Sequence, residues 1–193
     1  MALVNRIIAV CWIGFIAYWL ISARYTKKTA KGTPRWGGTV GRTAIIILAF
    51  LVLRSPFFWH PFNHIAGRYA AIVSSPVTRC IGAGISVLGM AFAVWARVHL
   101  GRNWGQPMSL REGHELVTTG PYAYVRHPIY TGIIFALFGT ALAENIVWLV
   151  PFAALCAYYV LSAATEEKHM LRQFPEEYPE YKGRTKMLIP FVL

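Results

Sequence analysis

Apolar runs long enough to cross a bilayer recur along this 193-residue chain, and they constrain its fold more than any other feature. Leu3 to Ile21 is 19 residues interrupted only by Asn5 and Arg6 near its start, against the roughly 20 needed to span the hydrocarbon core. Further runs cover about Thr43 to Trp59, Cys80 to Val98, Ile129 to Ala143 and Ile146 to Ala164. Backbone polar groups inside lipid must pair within their own segment, so runs of this length predict helices. The expected fold is all-α, a multi-span integral membrane bundle of five transmembrane helices forming one domain over residues 1–193. A composition 56% hydrophobic, with seven Trp and a mean hydropathy of +0.45, is not that of a soluble protein.

Charge sets the orientation. Arg24, Lys27, Lys28, Lys31, Arg35 and Arg42 follow the first run with no acid among them, which marks that loop as cytoplasmic and the N-terminus as outside. No small-residue cleavage site follows the run, so it reads as a span and not a signal peptide. In the second run Arg54 is near enough to the outer end to snorkel, Pro56 bends or ends the helix, and Phe57, Phe58, Trp59 and Phe62 resemble an interfacial belt. Gly82, Gly84, Ser86 and Gly89 in the third run suit close helix packing within the molecule. Ile129 to Ala143 has only 15 residues, about 22 Å of helix against a core of about 30 Å. Glu144-Asn145 then turns the chain into the fifth run, so these two segments predict an antiparallel hairpin with its open end toward the cytoplasm. The formal charge is +11, but the basic residues flank spans instead of forming one patch, which excludes nucleic acid as a partner. Cys11, Cys80 and Cys156 lie in apolar runs and read as small packing groups.

The polar residues concentrate in two places, both cytoplasmic by the count of crossings. One is Arg97 to His127, with His99, Arg102, Asn103, Gln106, Arg111, Glu112, His114 and Glu115. It ends in Gly120-Pro121-Tyr122-Ala123-Tyr124-Val125-Arg126-His127-Pro128-Ile129-Tyr130-Thr131-Gly132, a proline-punctuated loop running into an apolar helix. Pro128 suits a first helical position, with His127 as the cap, and free N–H groups there would draw an anion to a place beside Arg126. The other is Thr165 to Leu193, which opens Glu166-Glu167-Lys168-His169 and predicts a helix continuing from the fifth span, followed by a tail at the membrane surface. Glu166 and His169 stand at metal-ligand spacing, but there is one copy of the pair and neither HExxH nor CxxC, so no metal site is expected.

The segments His114 to Tyr122, Arg126 to Gly132, and Glu166-Glu167 followed by Phe174, Glu177-Tyr178 and Glu180-Tyr181-Lys182 together resemble the isoprenylcysteine carboxyl methyltransferases, in a short prokaryotic-type form, over about Leu100 to Lys182. The resemblance implies a cytoplasmic C-terminal catalytic region, S-adenosylmethionine as cofactor, and a prenylated cysteine or prenylated protein C-terminus as substrate. It places the cofactor against His114, Glu115, Leu116, Val117, Tyr122, His127, Pro128, Ile129, Tyr130 and Glu166, with Glu167 as neighbour. Longer members of that family carry an Arg shortly before the paired glutamates, where this chain has Ser162-Ala163-Ala164. Arg126, Arg172 or Arg102 would then hold the substrate carboxylate, and the catalytic set is Arg126, Arg172 and Glu167. A carboxylate of pKa about 3.5 needs no general base at neutral pH, so the chemistry asks for alignment and a dry site. Arg-His-Pro-x-Tyr also occurs in phospholipid N-methyltransferases, where Glu166 or Glu167 would deprotonate an ammonium, and in NADPH-dependent sterol reductases. A non-catalytic scaffold would keep the spans without the polar cluster.

Overall fold

The computed structural model describes residues 2–25, 75–104, 115–144 and 148–189. It holds five α-helices among the described residues: α1 (Ala2–Ser22), α2 (Pro76–Leu100), α3 (Pro128–Glu144), α4 (Leu149–Gln173) and α5 (Glu177–Arg184). There is no strand among them, only an isolated parallel bridge between Val125 and Lys186. The expected span Thr43–Trp59, five of the six loop cations (all but Arg24) and the aromatic belt lie outside the described residues, so the expected five spans are seen as four long helices.

Local sequence explains the helix ends. Ser75 caps α2, its hydroxyl accepting from the Thr78 N–H at 3.1 Å, and Pro76 follows at the first turn. The same helix stops at Gly101, whose φ of 58° is left-handed backbone that glycine adopts without strain. Pro128 opens α3 as expected; the His127 carbonyl accepts from the Thr131 N–H at 3.0 Å, which leaves the imidazole for other work.

Asn5 accepts from Arg79 at 2.7 Å, and the Ser22 carbonyl accepts from Arg97 at 2.8 Å, so α1 and α2 run parallel. Glycines carry the antiparallel pairing of α2 with α3. A Cβ at Gly82 would lie 2.7 Å from the Ala143 nitrogen, one at Gly89 2.5 Å from the Ala136 nitrogen, and one at Gly132 2.6 Å from the Ala93 nitrogen. Backbones can approach this closely only where both faces are small. Gly84 has no neighbour within 4 Å and takes no part. Thr140 sits in the same seam, reached by the Trp12 indole at 3.0 Å and by Ser86 at 3.1 Å. The expected hairpin of α3 with α4 is present: Phe138 packs on Phe152 at 5.6 Å and, nearer the opposite end, Tyr130 packs on Tyr159 at 4.9 Å.

Residues 3–22 and 76–100 are long and apolar enough to cross a membrane, while α3 is a shorter apolar helix of 17 residues. Leu3, Val10, Ile13, Val77, Leu88 and Leu161 stand exposed on the outer faces, an arrangement suited to lipid and costly in water. α4 runs 25 residues, well past its apolar stretch, and its polar end carries both glutamates.

Candidate functional site

The polar ends of α2, α3 and α4 meet in one place. Arg97 closes the bottom of α2 by donating to the Gly101 and Ser22 carbonyls, each at 2.8 Å, with its guanidinium over the Trp104 ring. The turn Gly120–Ala123 folds against it. Gly120 has φ 60° and lies so close to His99 that a Cβ there would sit 2.6 Å from the imidazole. That imidazole pairs with the Thr119 hydroxyl at 2.9 Å. Tyr122 is buried, donates to the Ala96 carbonyl at 3.4 Å, and accepts on its own carbonyl from Tyr181 at 2.7 Å. Burial pushes the Tyr122 and Tyr181 phenols up, so both stay neutral donors.

The C-terminal segment is built into the site, where the sequence predicts a surface tail. After α5 the chain returns beside the loop that precedes α3: the Arg126 N–H donates to the Lys186 carbonyl at 2.8 Å and the His127 N–H to the Met187 carbonyl at 3.1 Å. The Thr131 hydroxyl donates to the Leu188 carbonyl at 2.6 Å. Tyr178, Tyr181 and Leu188 are buried in this return. Only Tyr178, Tyr181 and Lys182 carried a sequence signal, as part of a motif and without a structural role.

Adjacent glutamates on a helix point about 100° apart, and here they have different partners. Glu166 accepts from the Tyr130 hydroxyl at 2.5 Å and lies 3.4 Å from His127 Nδ1. Glu167 accepts from Arg126 Nε at 2.7 Å on one oxygen and faces Lys182 Nζ at 2.7 Å on the other. His127 Nε2 is 3.8 Å from Glu167, a charge contact beyond hydrogen-bond length. Burial alone would raise the Glu167 carboxyl; His127, Lys182 and Arg126 outweigh it and hold it at about 2. For His127, burial opposes protonation, yet Glu166 and then Glu167 outweigh it and raise the imidazole above its ordinary value. The His127 and Tyr130 rings lie parallel, 4° apart with centroids at 5.5 Å.

Of the residues expected around a cofactor, Tyr122, His127, Pro128, Ile129, Tyr130 and Glu166 therefore gather at one end of the bundle. Val117 packs on the same apolar cluster, Leu116 is half-buried, Glu115 is exposed, and His114 lies outside the described residues. Arg126 is 8% exposed and also donates to the Lys182 carbonyl at 3.3 Å and to the Thr185 carbonyl, so its guanidinium is committed to the C-terminal return. Arg172 stands exposed on the flank of α4.

The model of the phospholipid methyltransferase family matches residues 77–177, just over half of the chain. The chain belongs to the phospholipid methyltransferase family. Among its relatives, Protein-S-isoprenylcysteine O-methyltransferase B of Arabidopsis thaliana is 31% identical over 115 residues, which is 58% of this chain and 58% of that protein. The cobalt-zinc-cadmium resistance protein CzcN of Cupriavidus metallidurans is 30% identical over 147 residues, 75% of this chain and 61% of the relative. The chain spans about half the length of the curated relatives it matches. A solved eukaryotic intramembrane Ras methyltransferase, isoprenylcysteine carboxyl methyltransferase, shares the fold with a TM-score of 0.59 at 22% identity, over 82% of this chain and 55% of that one. The all-helical membrane fold expected from the apolar runs is thus shared with that neighbour. The family match covers α2, α3 and α4, the elements that bring Tyr130, His127 and Glu166 together.

Proposed function

We propose that the chain transfers a methyl group from S-adenosylmethionine to the α-carboxylate of a C-terminal isoprenylated cysteine, giving a methyl ester. The observation that carries this reading is the convergence of Tyr130 and His127 on the Glu166 carboxylate at the polar end of an apolar bundle, within the segment that defines the family. The Arabidopsis relative and the solved neighbour, both named as isoprenylcysteine methyltransferases, support it.

The residues present suit such a donor. A sulfonium nucleoside offers hydroxyls, an ammonium and a flat base; Glu166 is an acceptor, Tyr130 and Tyr159 are aromatic walls, and His127 Nε2 is buried without a hydrogen-bond partner. We assign the donor site to His127, Pro128, Ile129, Tyr130 and Glu166, with Tyr122 and residues 115–117 beside them; His114 is included on its place in the motif alone. When bound, the donor supplies an electrophilic methyl carried on sulfur. The chain's own part is to align the acceptor oxygen and to exclude water, because attack by an anion on a sulfonium cancels charge and is favoured where hydration is poor. No side chain has to take a proton from an ionised carboxylate. Glu167, closed off by Arg126 and Lys182, is a counter-ion, and Arg126 positions it. Arg172 takes the acceptor carboxylate in this reading. The parallel course of α1 and α2 supports a crossing between them, and with it five crossings, an outer N-terminus and a cytoplasmic site.

Offering prenylated cysteine and phosphatidylethanolamine side by side with labelled S-adenosylmethionine tests the reading. Label recovered as a base-labile ester of the cysteine is expected. Label confined to the lipid amine would replace the proposal with N-methylation.

A further inference from the structure

Four polar side chains lie on one line of α4: Ser162, Glu166, His169 and Gln173. At 3.6 residues per turn they fall within a sector of about 60° and extend over about 16 Å. Ser162 is wholly buried. Its Oγ, the Nδ1 of His169 and the Oε1 of Gln173 are shut off from solvent, and none has a hydrogen-bond partner among the described residues. Folded proteins seldom bury a polar atom unpaired, and three in register along one helix, unpaired among the described residues, point to a common ligand. The opposite flank of the same turns, with Lys168 and Arg172, is exposed.

Glu166 stands in the middle of this line, and its carboxylate already faces Tyr130 and His127. A ligand lying along the line would be elongated and would carry hydrogen-bonding groups over most of its length. We propose that Ser162, His169 and Gln173 are donor-binding residues that extend the site on both sides of Glu166, and that the ligand they take is the sulfonium nucleoside; this rests on the function proposed above.

The test is equilibrium binding of S-adenosylhomocysteine to the full chain in lipid nanodiscs, with melting temperatures of the ligand-free protein measured alongside. Ser162→Ala, His169→Ala and Gln173→Ala should each weaken binding by about 5- to 30-fold, the loss of one hydrogen bond to a ligand. Because these atoms have no hydrogen-bond partner among the described residues, affinity should fall well beyond any change in the ligand-free melting temperature. Lys168→Ala should bind like the parent. If the parent binds and the three variants bind equally well, or if affinity falls only together with melting temperature, this assignment is overturned while the proposed function stands. If the parent chain binds no S-adenosylhomocysteine, the proposed function fails first and takes the assignment with it.

Discussion

Two neighbouring glutamates divide the work of the site, and their surroundings decide how. Glu167 has both oxygens engaged by cations and is almost excluded from solvent, so removing it strands the Arg126 guanidinium, itself 8% exposed. Breaking a buried pair from one side costs about 3–5 kcal/mol, and Glu167→Ala should lower unfolding stability on that order. Lys182→Ala, at a side chain 45% exposed, should cost less than about 1 kcal/mol. Chemical denaturation of the two variants checks the contrast; equal losses would contradict it. The pH dependence has opposite signs at the two neighbours. Glu167 is depressed to about 2, so its contribution is present above the ordinary carboxylate range and fades as pH falls toward 2. His127 is raised, so its contribution is complete below pH 6.5 and is lost as pH climbs through the raised value. His127→Gln should therefore flatten the loss of stability as pH rises above 6.5 and, by removing one of the groups that hold the Glu167 carboxyl down, shift the acid-side loss to higher pH, both of which melting temperatures across pH would register.

Helix packing rests on small residues, and the glycines differ in what they tolerate. Gly89→Leu and Gly132→Leu would drive side chains into backbone 2.5–2.6 Å from the new Cβ, and each should cost at least the 1–3 kcal/mol of an overpacked core. Gly84→Ala, with open space around it, should be neutral or slightly stabilising. Equal melting temperatures for Gly84→Ala and Gly89→Leu would remove the seam from the account. Much of this architecture was legible because it is local: the proline start of α3, its short length, the hairpin to α4, and the small residues Gly82, Ser86 and Gly89. The C-terminal return was not legible. It depends on backbone hydrogen bonds between residues some 60 positions apart, such as Arg126 with Lys186 and His127 with Met187, and backbone bonding leaves no pattern in side-chain type. For the same reason Arg126 reads from sequence as a free cation for a ligand, whereas the carbonyls of Lys182 and Thr185 occupy it.

At the scale of the whole molecule, the described helices expose apolar side chains, and the polar ends of the three matched elements converge. A lipid-borne acceptor and a water-borne donor would approach that end from opposite sides. The proposed orientation rests on the cation-rich loop: cysteines introduced at Thr29 and Ser75 should be labelled from the inside and the outside respectively, and external labelling at position 29 would invert the topology. The chemistry is tested most directly by comparing prenylated cysteine with its amide in a methyl-transfer assay across pH 6 to 9. The account predicts methylation of the free acid with no rise attributable to acceptor deprotonation, no turnover of the amide, and a loss of about 10- to 150-fold in kcat/KM for Arg172→Ala, the equivalent of one charge-assisted hydrogen bond. Turnover of the amide at the rate of the acid would contradict it.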